Sequence, residues 1–261
     1  RERGSRLSAG EKQLVSLARA GTPVGALLAR ALRWLGRTDV HHYSISIIRD
    51  RGIDENALTF ILRNVGRESA GLAFVDGWTA KGVIGEELHW ALKRWNARQP
   101  EPLEEALHVV SDIGGVADVA ATYDDYAIPS GILNATVSGL TSRSILNEAI
   151  GPNDFHGCVF YEEFEAYDRS GWFLDRVAGY FAAAEPVSLR RDPEERRERC
   201  QAMTSFLSRL HARYRVSDRN FVKPGVAEAT RVLLRRLPGL LLLRAADHPD
   251  VEHLRLLAEE K

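Results

Sequence analysis

"GLAFVDGWTAKG", residues 71–82, opens as a continuous apolar run and closes on an acid, an indole, a hydroxyl, a cation and two glycines. An apolar run bounded in this way reads as a strand buried on both faces, the kind found in parallel sheets. Ile84, Leu88, Ala91, Leu92 and Trp95 then recur at helical spacing, giving strand, loop and helix in order. The same unit stands twice upstream. "KQLVSLA" (12–18) is a strand ended by "RAGTP" (19–23), and Val24, Leu27, Leu28, Ala31, Leu32 and Leu35 mark the helix behind it. "HYSISIIRDRG" (42–52) alternates Tyr43, Ile45 and Ile47 with Ser44 and Ser46; Ala57, Leu58, Ile61 and Val65 form the next helix, with Asp54 or Glu55 suited to its start. Strands alternating with helices predict an α/β protein whose right-handed crossovers lay down a parallel sheet with helices on both faces.

Downstream, "QPEPLEE" (99–105) reads as a surface connection before two more strands, "ALHVVSD" (106–112) and "VADVAATYDDY" (116–126). Residues 126–165 have no clean period, a composition common around ligand sites. From 171 to 214 the pattern is helical, with "RRDPEERRER" (190–199) a solvated helix start. Cys200, Met203, Leu207, Leu210 and Tyr214 share one face there, which places Cys200 in the core. Residues 223–261 read helix, strand, helix. The implied division is a large α/β domain over 1–150, a mostly helical segment over 151–219 and a small α/β module over 220–261.

Composition narrows the class. The 261 residues are 44% hydrophobic, enough for a substantial core, and 35 basic against 36 acidic residues leave no global field for nucleic acid. Two cysteines, Cys158 and Cys200, lack zinc or disulfide spacing and point to a reducing cytoplasm. The longest apolar run, "LPGLLLL" (237–243), is far short of a membrane span, and "RERGSRLSAGEKQ" (1–13) has no signal-peptide core, so no membrane association is expected. Eight scattered histidines give no zinc motif.

Ligands of an open parallel sheet bind beyond the carboxyl ends of its strands, where "RAGTP", "RDRGID" and "DGWTAKG" fall. Gly77 and Gly82 admit a close backbone approach, and the amides of Thr79, Ala80, Lys81 and Gly82 can cradle a phosphate at a helix start. Thr79 and Lys81 add a hydroxyl and a charge, Trp78 shapes the turn, and Asp76 suits sugar hydroxyls or a hydrated Mg²⁺. Arg19, Arg49 and Arg51 can neutralise a second anion. The plainer reading is a turn and nothing more. "TAKG" is not a P-loop, and no G-x-G-x-x-G is present.

"VSLARAGTPVGALL", "HYSISIIRDRGID", "FVDGWTAKG", "ATYDDYAIPSGILNATVSGL" and "NFVKPGVAEATRVLLRR" resemble the phosphoribosyltransferase-like proteins of bacterial tellurite-resistance and stress gene clusters. That resemblance implies the type I phosphoribosyltransferase fold and Mg²⁺-dependent phosphoribosyl transfer from phosphoribosyl pyrophosphate to a base-like acceptor. It implies a pyrophosphate loop at Arg19, Ala20, Gly21 and Thr22, and a ribose 5-phosphate loop at Asp76–Gly82, with Asp76 also the metal ligand and Asp76, Lys81, Arg49 and Arg51 catalytic. Gly77 stands where that pattern has a second acid, and Ala80 where it usually has Gly. The acceptor would meet residues drawn from Asp112, Asp124, Asp125, Asn134, Thr136, Ser138 and Arg143, for which capping and turn roles are the plainer reading. Relatives are expected to run further at both ends, and assembly into a homo-oligomer is left open.

Members of the same family are also described as cysteine proteases. "DFHGCVFY" (154–161) sets His156 two residues before Cys158, on one face of a strand, a spacing that allows a Cys–His pair for a hydrolase; a buried structural thiol is the alternative. The tail resembles the Pelota and kink-turn-binding ribosomal protein superfamily, with Gly225, Glu228, Thr230 and Arg231 at the G-x-x-E-x-T-[KR] spacing. This implies an RNA or nucleotide contact over 225–236, against a packing module whose Arg231, Arg235 and Arg236 only face water. A non-catalytic regulator built on the same fold is the third class.

Overall fold

The structure, a computed structural model, describes residues 12–128, 138–185 and 192–261. Six strands, β1 (Lys12–Ala18), β2 (Val40–Ile48), β3 (Gly52–Ile53), β4 (Leu72–Thr79), β5 (Leu107–Asp112) and β6 (Val119–Thr122), form a sheet in the order β3-β2-β1-β4-β5-β6. β1 runs parallel to β2 and to β4, and the two-residue β3 lies antiparallel to β2. The helices are α1 (Gly21–Trp34), α2 (Glu55–Thr59), α3 (Val83–Asn96), α4 (Ser170–Ala178), α5 (Pro193–Tyr214), α6 (Val226–Arg235) and α7 (Glu252–Glu259). The α/β class read from the alternation is the class observed.

Local chemistry accounts for most boundaries. Asp54 caps α2 by accepting from the Ala57 amide, and Asp192 caps α5 ahead of Pro193, whose missing N–H is harmless at a first helical position. After Thr59 the chain widens into a π turn over Phe60–Asn64, closed by Val65 N–H on Phe60 O, where an unbroken α-helix was expected. β4 runs to Thr79 because the Ile113 amide donates to the Thr79 carbonyl at 3.2 Å. Asp76, Gly77 and Trp78 are therefore strand residues, not loop.

The chain divides into two compact units. One comprises Arg1–Asp76, Val83–His108 and Asn134–Pro186; the other comprises Gly77–Gly82, Val109–Leu133 and Val187–Lys261. In the first, Leu14, Val40 and Val75 meet Ala29 of α1, with Val24, Leu32 and Ala73 around them. α1 sits close on the sheet because it presents glycine: a Cβ on Gly21 would stand 2.4 Å from the Val75 carbonyl oxygen, and one on Gly25 would stand 2.5 Å from His42 Nε2.

In the second unit Val226, Leu233 and Leu254 bury together, ringed by residues that include Leu241, Leu243 and Leu257. Two expectations fail here. α5 buries no residue: Cys200 is half-buried and Tyr214 exposed, since a helix dominated by Arg and Glu has too narrow an apolar stripe to build a core. "LPGLLLL" forms no strand; Leu241 and Leu243 pack against α6 and α7 while Leu240 and Leu242 face solvent, and no strand among the described residues pairs with them.

Candidate active site

In the second unit the stretch that suggested phosphate binding is tied into its own chain. Lys81 Nζ donates to the carbonyls of Arg219 and Val222, each at 2.9 Å. Thr79 Oγ1 accepts from the Gly82 amide, Gly82 holds φ at 74°, and the guanidinium of Arg231 lies 5.7 Å from the Trp78 ring. Ala80 is packed so closely that a Cβ on Gly114 would stand 1.9 Å from its carbonyl oxygen. Asp112 closes its own turn, its two oxygens taking the Val116 and Ala117 amides at 3.0 and 2.8 Å. Asp124 accepts from the Thr122 hydroxyl, and Asp125 accepts from the Val226 amide at the start of α6. Desolvation lifts the Asp125 carboxyl above its ordinary value, against the opposing pull of that amide.

The same unit carries the Pelota-like spacing. Gly225 takes φ of 96° just before α6. Thr230 is buried, its hydroxyl bonded to Val226 O and to His253 Nε2. Glu228 pairs with Arg231 and, at 3.5 Å, with Lys223. Burial alone would raise the Glu228 carboxyl, but the two cations together hold it below its ordinary value. Arg235 and Arg236 remain exposed.

In the first unit, Arg19 donates to the Thr141 carbonyl at 3.3 Å, and Thr22 Oγ1 lies 2.6 Å from Ser44 Oγ. Ala20 and Gly21 lead into α1 without a side-chain cap. Arg49 and Arg51 are exposed in the turn between β2 and β3. Asp76 is buried. Ser138 is buried and its hydroxyl has no hydrogen-bond partner among the described residues, while Arg143 is exposed. Asn134 and Thr136 lie outside the described residues. Among the described residues no three His, Cys, Asp or Glu side chains gather as a metal site.

A different arrangement surrounds Cys158. Residues 140–145 and 157–161 approach antiparallel, with bridges at Thr141 with Phe160 and at Ile145 with Gly157. His156, just before this ribbon, is held twice. Its amide donates to Asp54 Oδ2 at 2.7 Å, and its Nδ1 is 2.8 Å from Ser46 Oγ on β2. Asp54 thus joins the α2 cap to the His156 main chain, and Ser46 fixes the ring. With Nδ1 engaged, Nε2 is the nitrogen left for proton transfer. Cys158, two residues on, is an exposed free thiol. Ser46 and Asp54 are the residues sequence reasoning did not assign to a site; the only signals were the serine alternation of β2 and a helix-capping acid.

The comparisons bear on this geometry. The family model described as "Tellurite-like stress resistance cysteine protease StiP" matches residues 5–178, and the one described as "PELOTA RNA binding domain" matches residues 201–261. The "Cysteine protease StiP" of Acinetobacter baylyi is 42% identical over 256 residues, 94% of this chain and 66% of that protein. The chain therefore spans just under two thirds of that relative's length. Among solved structures, a hypoxanthine phosphoribosyltransferase from Trypanosoma cruzi in complex with IMP shares 16% identity, covers 69% of this chain and 82% of its own, and superposes with a TM-score of 0.32. That likeness is too loose to carry an argument about chemistry. The family and the relative overturn the transferase expected from the loop motifs: both are named for cysteine protease activity, not for transfer from phosphoribosyl pyrophosphate. The chain belongs to the family of tellurite-like stress resistance cysteine proteases, StiP.

Proposed function

We propose that the chain is a cysteine hydrolase that cleaves peptide bonds with Cys158 as nucleophile and His156 as its base. The observation that carries this reading is an exposed thiol two residues from a histidine whose main chain and ring are both fixed, by Asp54 and Ser46. A nucleophile, a base and a third group orienting the base are the recurring parts of covalent acyl transfer. His156 Nε2 takes the Sγ proton while the sulfur bonds to the scissile carbonyl carbon. The C–N bond then breaks and the amine leaves with that proton. Water, deprotonated by the same nitrogen, attacks the thioester, releasing a carboxylic acid and restoring the thiol. Cys200, half-buried on α5, has no such setting. Hydrolysis of fluorescently labelled casein tests the assignment: Cys158→Ala lowers turnover by at least 100-fold and Cys200→Ala leaves it within twofold. A Cys158→Ala protein as active as wild type overturns it.

We also infer a scaffold of the phosphoribosyltransferase kind put to this other use. It is supported by the strand order and by the short antiparallel β3 beside β2.

A second reading concerns the tail, where the Pelota match and the exposed Arg235, Arg236 and Arg244 favour RNA contact. Thr230 and Arg231 are engaged within the protein, so the phosphate contacts fall to the exposed arginines. Replacing Arg235 and Arg236 with Ala weakens binding of a structured RNA and lowers the slope of log affinity against log salt by roughly 1–2. An unchanged slope removes the idea.

A further inference from the structure

The ribbon that carries Cys158 has one paired edge and one open edge. Gly157 exchanges both backbone hydrogen bonds with Ile145, Val159 O accepts from the Ser142 amide, and the Tyr161 amide donates to Leu140 O. The Val159 amide is taken by Ser142 Oγ at 2.8 Å. The odd-numbered residues therefore face the 140–145 strand, and the even-numbered ones point their N–H and C=O groups the other way. At His156 that outer edge is closed by Asp54. At Cys158 and Phe160 it is open: no hydrogen bond joins their backbone groups to the described residues. An open edge of this kind is a template for an added strand.

Two features of the surrounding surface define what fits. Phe155, Phe160, Phe164 and Tyr167 are exposed around the ribbon, Phe160 at 57% and Tyr167 at 65%. From Arg143 to Arg169 the chain has six exposed carboxylates, Glu148, Asp154, Glu162, Glu163, Glu165 and Asp168, against two exposed arginines, one at each end. A local charge of this sign inside a chain of formal net charge −1 selects for a cation.

We propose that the outer edge at Cys158 and Phe160 receives an extended peptide as an added strand, and that the preferred peptide alternates basic with apolar or aromatic side chains. Strand addition supplies affinity through the main chain, and side-chain alternation supplies selectivity. The apolar residues meet the exposed rings and the basic ones meet Glu162, Glu163 and Glu165. That this peptide is also the hydrolase's substrate rests on the Cys158 reading above. In that case the open Cys158 amide is a donor for the oxyanion that forms when Sγ adds to the carbonyl.

The test uses a fluorescent decapeptide alternating Lys with Val and Phe, its Glu-for-Lys counterpart, and a copy N-methylated at the amides of one edge. Each is titrated into the full chain carrying Cys158→Ala. The Lys peptide binds at least tenfold more tightly than either control, the charge preference vanishes in a Glu162→Lys, Glu163→Lys, Glu165→Lys variant, and amide exchange at residues 158 and 160 slows in the complex. Equal binding of the three peptides, no binding at all, or unchanged exchange at those two amides overturns the inference. Cleavage by the wild-type chain separates the two claims. Edge binding without cleavage removes Cys158 as nucleophile and leaves the docking edge standing; cleavage indifferent to charge and N-methylation does the reverse.

Discussion

At the scale of single residues, His156 is held twice, by Asp54 at its amide and by Ser46 at its ring. Ser46 touches no substrate in the proposed mechanism; it positions the ring through Nδ1. Ser46→Ala is expected to lower kcat about tenfold with KM unchanged, because the base loses orientation rather than binding. Ser46→Thr, which keeps the hydroxyl, restores it; a merely structural role would shift the melting temperature without moving kcat of the folded protein. Gly21 is a second residue with a sharp expectation. An added Cβ meets a backbone carbonyl, which cannot rotate away, so Gly21→Ala costs about 1–3 kcal/mol in urea unfolding. The His156 and Cys158 spacing was legible in "DFHGCVFY", whereas Ser46 and Asp54 were not. They stand 110 and 102 residues away from His156, and no local pattern reports a contact over such a separation. The Lys81 turn shows a related limit: a glycine-rich turn with a cation has the same sequence whether its ammonium faces a phosphate or, as here, two backbone carbonyls.

At the scale of elements, β2 and α3 were legible because their burial follows the period of their sequence, and β1 because a short apolar run ends at a Gly-bearing turn. The end of β4 was not, because a partner amide from Ile113 sets it. The apolar 237–243 stretch reads as a strand yet pairs with none among the described residues, since apolarity alone does not distinguish a strand from an extended packing segment. Two elements should respond to acid in separate windows. His42 on β2 is held below its ordinary value by burial foremost and by the Arg33 charge. The unfolded chain binds that proton first, so the stability is present above about pH 6.5 and is lost as pH falls below it. Glu228 on α6 is also depressed in the folded state, so its contribution is present above about pH 4.3 and is lost as pH falls through the lower folded value. Thermal melts monitored from pH 8 to pH 3 check both. His42→Gln removes the loss that begins near neutrality, and Glu228→Gln removes only the more acidic one. Melts insensitive to pH across both windows would contradict these assignments.

At the scale of the whole molecule, the near-zero net charge hides its distribution. Cancellation across 261 residues gives no hint that the stretch from Arg143 to Arg169, around the thiol, carries six exposed carboxylates against two arginines, and reading charge by segment exposes it. The α/β class followed from alternation, but the chemistry did not follow from the class, because one sheet architecture hosts many reactions. The family match supports the proposed hydrolysis independently of the loops whose sequence suggests phosphate binding. The most direct measurement is inactivation by iodoacetamide, with casein hydrolysis and alkylation of each cysteine followed on the same samples by peptide mapping. Loss of hydrolysis should track alkylation of Cys158 one for one and run ahead of alkylation of Cys200; hydrolysis that survives complete alkylation of Cys158 would contradict the account.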